Sequence, residues 1–172
     1  MGEADYKRLD RVNAHPRVSN NLTVSGREQA ADCGTELTGA GIEALFCSEF
    51  PHARQTAEIV NCGVVVPLYI DSRLNETGAY AFGGMLASAW HQAQVADRLS
   101  AIVPGCERFA AMKARLVDFL DSLHALPLHC IGAVSHEEPI QVMVGILDGI
   151  SDAQAKVRPI RHCVPLRRLL SP

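Results

Sequence analysis

The sequence predicts one α/β domain spanning residues 1–172, a three-layer sandwich around a mostly parallel sheet. Two observations lead to that expectation. Apolar runs of strand length alternate along the chain with segments of helical period. The clearest run, residues 128–134, is apolar without alternation and bounded by turn signals, as a strand buried on both faces must be. An apolar helix pattern over 140–150 follows at once, with Pro139 in its first turn, where a missing N–H is harmless.

The remaining elements are read in order. Residues 1–22 are polar and rich in turn formers. From 25 to 37, Ala30, Cys33, Gly34 and Leu37 share one helical face, with Thr23 or Ser25 able to cap. Gly39 and Gly41 end that helix. A short buried strand is expected at 42–47, a helix at 52–60 closed by Gly63, and an edge strand at 64–70 carrying Pro67. Residues 71–84 read as a loop and 85–99 as a helix. In 106–126, Phe109, Met112, Leu116, Phe119, Leu120 and Leu123 recur at spacings of three and four, the strongest helix signal in the chain. A connector at 151–162 and a last strand at 163–170 complete the order.

Composition narrows the function. A chain of 172 residues, 48% apolar and 20% charged, is ordinary globular material with enough length for a core. A net charge of −3 gives no broad basic surface, so no nucleic-acid partner is expected. The polar, acidic start is not a signal peptide, and no run is long enough to span a bilayer. Six scattered cysteines without a Cys-x-x-Cys pair read as reduced thiols, which suggests a cytoplasmic protein. The pairs His129-Cys130 and His162-Cys163 are poor chelates, because adjacent strand residues point to opposite faces; no metal is expected.

His136 stands where a predicted strand ends and a helix begins. That edge of an open α/β sheet is where ligands bind, and a helix start favours an anion. Taken alone, His136 reads equally as a capping or loop histidine. Four stretches give it context: Leu22-Thr23-x-x-Gly26-Arg27-Glu28-Gln29-Ala30, Ser48-Glu49-Phe50-Pro51-His52-Ala53-Arg54-Gln55-Thr56-Ala57, Arg73-Leu74-Asn75-Glu76, and Val134-Ser135-His136-x-x-Pro139-Ile140. In this order and at these separations they resemble the histidine phosphatase superfamily, the phosphoglycerate mutase-like family, and most of all its small bacterial phosphatases. The resemblance covers nearly the whole chain.

That resemblance implies phosphomonoester hydrolysis without metal or other cofactor. A histidine in an Arg-His-Gly motif at the end of the first strand attacks phosphorus. The phosphohistidine is then hydrolysed. A neutral imidazole is a nucleophile available at pH 7. Fixed cationic donors stabilise the charge spread over the transferring oxygens, and a carboxylic acid protonates the leaving oxygen. Glu76 matches the general acid and His136 the second histidine, while Ser48 opens the Ser-x-x-x-Arg signature of the phosphate pocket.

Two departures qualify the expectation. The phosphate-binding arginine of that signature is His52, of which about a quarter would be charged at pH 7 with an ordinary pKa. Arg54 lies two residues later, about 200° around a helix, and cannot simply replace it. Gly2 matches the glycine of the Arg-His-Gly motif, so Met1 stands at the place of the nucleophile, and a thioether cannot form a phosphohistidine. The strand that would precede it, central in the family's sheet, is not part of this sequence. Two explanations compete: a native start upstream, or a degenerate member. The histidine at 52 is independent of the start and counts for the second. The expectation is therefore a phosphatase whose 172-residue chain is impaired or inactive; the alternative is a non-catalytic pseudophosphatase. The expected partner is a phosphorylated small molecule or phosphoprotein, and exposed strand edges would be the route to a homodimer. A generic nucleotide-binding domain is disfavoured, since no glycine-rich phosphate loop follows a strand.

Overall fold

The computed structural model describes residues 1–4, 21–78, 86, 98–100 and 104–170. Its elements are α1 (Val24–Glu36), β1 (Ala44–Cys47), α2 (Pro51–Val64), β2 (Leu68–Ile70), a 3-10 turn (Ser72–Leu74), α3 (Phe109–Leu123), β3 (Ile131–Val134), α4 (Glu137–Leu147) and α5 (Asp152–Lys156). The sheet has the order β2-β1-β3 and is parallel throughout. Central β1 pairs Leu45 with Leu68 on one side and with Gly132 on the other. Each of its strands is separated from the next by a helix, as a parallel crossover requires.

Side-chain alternation along β1 builds the three layers. Leu45 faces a cluster with Cys33 of α1 and Val60 of α2. Phe46 points the other way, against the larger cluster of Phe109, Met112, Leu116, Phe119 and Leu120 from α3 with Val142 and Met143 from α4. The α1–α2 contact is close because both backbones lack side chains where they cross. A Cβ on Gly63 would fall 2.3 Å from the Gly34 carbonyl oxygen, and one on Gly34 would fall 2.9 Å from that of Val60.

Local chemistry sets the helix boundaries. The Thr23 hydroxyl accepts from Gly26 N–H at 3.0 Å and caps α1. Pro51 opens α2. At its end Val65 has φ 55°, an unusual place for a β-branched residue, and Asn61 brackets it: its amide both donates to Val66 O and accepts from Val66 N–H at 2.9 Å. The acidic pair Glu137 and Glu138 occupies the first turn of α4, where the helix dipole favours negative charge.

Several expectations change. The last strand predicted over 163–170 is absent. Cys163 has φ 49°, Pro165 carries no N–H, and Val164, Leu166 and Leu169 remain exposed, so an apolar, strand-prone segment here has no ladder to join. The connector 151–162 contains α5, closed at its start by a capping box between Ser151 and Gln154. Gly63 lies inside α2 instead of ending it, and the strand expected over 64–70 shortens to β2. The helix predicted over 85–99 lies almost wholly outside the described residues, as does most of the segment 1–22. Among the described residues β3 is an edge strand, with Ala133 exposed. Among the same residues, no helix is long and apolar enough to cross a membrane.

Candidate functional site

Parallel pairing of β1 with β3 places Cys47 opposite Val134, so the residues that follow each strand emerge side by side. Ser48 N–H continues the ladder, donating to Val134 O at 3.1 Å. Ser48, His52, Ser135 and His136 are all buried at this C-terminal edge. Glu76 reaches the same edge on the turn after β2. That turn is pinned by Leu74, fully buried, whose carbonyl accepts from the Ser135 hydroxyl at 2.7 Å.

The polar groups form one connected set. Asn75 Oδ1 accepts from Glu49 N–H at 2.9 Å, while its Nδ2 donates to Glu49 Oε2 at 2.7 Å, which fixes the amide orientation. The Ser48 hydroxyl therefore gives its single proton to Asn75 Oδ1, at 2.9 Å. Its oxygen accepts from Phe50 N–H at 3.2 Å and must also accept from His136 Nε2, at 2.8 Å. The proton of neutral His136 consequently sits on Nε2, and Nδ1 is an acceptor. Facing Nδ1 are His52 Nε2 at 3.4 Å and Glu76 Oε2 at 3.9 Å. The first is a hydrogen bond donated by His52; the second is a close approach only. Phe50 packs edge-on against both imidazoles, at 5.0 and 5.8 Å between centroids.

Two titrations are displaced. Burial, and then neighbouring His52, hold His136 well below the ordinary imidazole range, so it is neutral. Burial, reinforced by the Glu138 charge and opposed by Thr77 N–H, pushes the Glu76 carboxyl up to about 7. A carboxyl so placed can give up or take a proton near neutrality. Because its folded pKa is raised, native Glu76 binds more protons than unfolded Glu76 between pH 4.5 and 7, and stability falls as pH rises through that window. His136 contributes the opposite slope below pH 6.5, so comparison with a variant isolates the carboxyl. Chemical denaturation should show Glu76→Gln gaining on the parent from pH 4.5 upward, reaching on the order of 3 kcal/mol by pH 8. A difference that does not change with pH would show that Glu76 titrates normally.

Gly2 is sited by its backbone. Its N–H donates to Thr56 Oγ1 at 3.1 Å, and that hydroxyl donates to His52 O at 2.7 Å. A Cβ at Gly2 would sit 2.3 Å from Gly26 O, and one at Gly26 would sit 2.1 Å from Glu3 O, so the two glycines let the N-terminal residues lie against α1. Arg54 is exposed on α2, away from the buried His52. Thus the structure brings His136, Glu76, His52 and Ser48 together, with Gly2 one residue removed through Thr56.

Other participants carry no sequence motif. Arg115 of α3 pairs with Glu107 at 2.8 Å and donates to the backbone carbonyls of Arg73 and Glu76, clamping the turn that presents Glu76. Glu138 lies buried between Arg98 at 3.2 Å and Lys156 at 2.7 Å. A cavity of about 50 Å³ opens above this set, lined by Met1, Glu76, Ser135, Glu137, Ile140, Ile160, Arg161 and His162.

Fold and site together define an α/β protein with a histidine–carboxylate cluster at the C-terminal edge of a parallel sheet. The family model of the histidine phosphatase superfamily (branch 1) matches residues 2–164, and the chain belongs to that superfamily. Among solved structures it is similar to a candidate alpha-ribazole-5'-P phosphatase of Escherichia coli K-12, at 25% identity and TM-score 0.77, covering 90% of this chain and 79% of that one. The fold is shared with Bacillus stearothermophilus YhfR, at 21% identity and TM-score 0.81, over 92% and 81% of the two chains. It is also shared with a mycobacterial glucosyl-3-phosphoglycerate phosphatase solved with VO3, at 21% identity and TM-score 0.77, over 92% and 82%. No curated protein matches the chain.

Proposed function

We propose that this chain is a phosphomonoester-binding member of its superfamily whose phosphoryl transfer is impaired, because histidine stands at position 52 where the superfamily signature has an arginine. His136 and Glu76 are the groups of catalytic descent; His52 and Ser48, at the phosphate-binding positions of the superfamily signature, hold His136 behind the cavity, and Gly2 is tied to His52 through Thr56. The carrying observation is the hydrogen-bonded set His52–His136–Ser48, with Glu76 Oε2 at 3.9 Å from the same imidazole. In it both ring nitrogens of His136 are engaged, and both histidines are buried. Neither is presented as a free nucleophile. Glu76, with its raised pKa, retains the character of a general acid. The ligand is a phosphorylated small molecule. A phosphorylated protein held without cleavage is the second reading, favoured by the same histidine at position 52.

Hydrolysis of a generic aryl phosphate tests this. The 172-residue chain should be no faster than its His136→Ala variant. A rate clearly above that variant, with an acid-labile phosphoenzyme, would mean that another histidine has taken the nucleophile's role.

A further inference from the structure

We propose that Arg161 supplies the cationic contact to the phosphoryl group that position 52 no longer supplies. This rests on the phosphate-binding reading above and names a residue outside the superfamily signature stretches.

The cavity opens beside Glu76 and Ser135. Its space, about 50 Å³, admits a few water-sized groups. Its walls carry Glu76 and Glu137, two carboxylates that oppose a phosphate dianion, so binding there needs a counter-charge. His52 and His136 do not line it; they lie buried below, bonded to each other.

Besides the Met1 amino group, which acts electrostatically on His136, five side-chain cations of this half of the chain are already committed to carboxylates. Arg115 holds Glu107, Arg98 and Lys156 hold Glu138, and Arg158 and Arg168 both hold Asp148 at 2.6 Å. Arg161 lines the cavity, is exposed, and has no carboxylate partner among the described residues. Its backbone is held on both sides. Upstream, the Arg158 carbonyl accepts from Gln141 Nε2 of α4 at 2.8 Å; downstream, Cys163 N–H donates to Met1 O at 3.2 Å. A guanidinium on such a support presents the planar fork that grips two phosphate oxygens at once.

The test uses the whole chain and inorganic phosphate as probe, by calorimetry or 31P line broadening at low salt. Arg161→Gln should weaken binding about tenfold or more, the usual scale for losing a charged hydrogen bond. Arg161→Lys should fall between, keeping the charge and losing the fork. Arg167→Gln, an exposed arginine of the same segment that does not line the cavity, should stay within about twofold, which sets the level of general charge screening. All three should melt with the parent, since neither arginine supports a buried contact. Parent-like phosphate affinity in Arg161→Gln overturns the assignment and leaves the phosphate-binding reading standing. A parent chain that binds no phosphate at millimolar concentration overturns both.

Discussion

Replacing Met1 with histidine, preceded by an arginine and an apolar strand, is expected to raise aryl phosphate hydrolysis about a thousandfold. Removing a nucleophile from a well-studied hydrolytic site costs about 10⁶ in turnover. A missing charge-stabilising donor withholds about 10²–10³, and histidine at position 52 leaves that loss in place. The difference is the expected gain. Geometry supports the position: Met1 lines the cavity with Glu76 and Ser135, and Gly2 after it is fixed by Thr56. The same extension should stabilise the fold. β3 is an edge among the described residues, and burying about four apolar side chains beside it would contribute on the order of 6–12 kcal/mol. That approaches the whole stability of a typical domain, about 5–15 kcal/mol. Thermal unfolding, sizing and initial rates of the two chains decide the matter. Equal melting temperatures, clean monomers and equal rates would show that the sheet does not depend on such a strand and that Met1 does not hold the nucleophile's place.

Phe119→Ala should cost about 3–5 kcal/mol, read by chemical denaturation. Phe119 is 1% exposed and meets the Phe46 ring edge-on at 5.7 Å, joining α3 to the centre of the sheet. The Arg73 guanidinium lies 5.4 Å from the same ring's centroid. Arg73 is held there by Asp71 at 2.6 Å and Asp118 at 2.7 Å, and it opens the Arg-Leu-Asn-Glu stretch that ends at Glu76. Truncation would therefore leave a cavity and loosen the turn that presents the carboxyl. Val117→Ala, on the solvated side of the same helix, should change stability by less than about 1 kcal/mol. Similar losses at both positions would mean that α3 buries a different face.

How much of this is legible in the sequence depends on whether a signal is local. The α3 stripe from Phe109 to Leu123 and the strand-to-helix passage at His136 are fixed by neighbours within a few residues, and the structure has both where the sequence predicts them. His52 and Glu76 come into view through the order of motifs, because strand pairing brings the ends of successive parallel strands together. Asn75 lies inside one of those motifs, yet its work is done on Ser48 and Glu49, 27 and 26 residues away. Arg115 looks like any charge on the polar side of a helix, although its fork closes on backbone carbonyls some forty residues distant. Arg161 sits in what reads as a connector. The failed strand at 163–170 shows the converse: Val164, Leu166 and Leu169 have strand-like composition, but a strand exists only where a neighbour accepts its hydrogen bonds.

The central claim, that the buried histidine pair belongs to a phosphate site, meets its most direct test in the imidazole 15N resonances of His52 and His136 during titration with inorganic phosphate. In the free chain His136 should be neutral and protonated at Nε2, as its bond to Ser48 requires. Added phosphate should shift both rings along one saturable curve, because His52 Nε2 donates to His136 Nδ1 and a charge bound beside one is felt by the other. Resonances of both rings that stay fixed up to tens of millimolar phosphate would contradict the account.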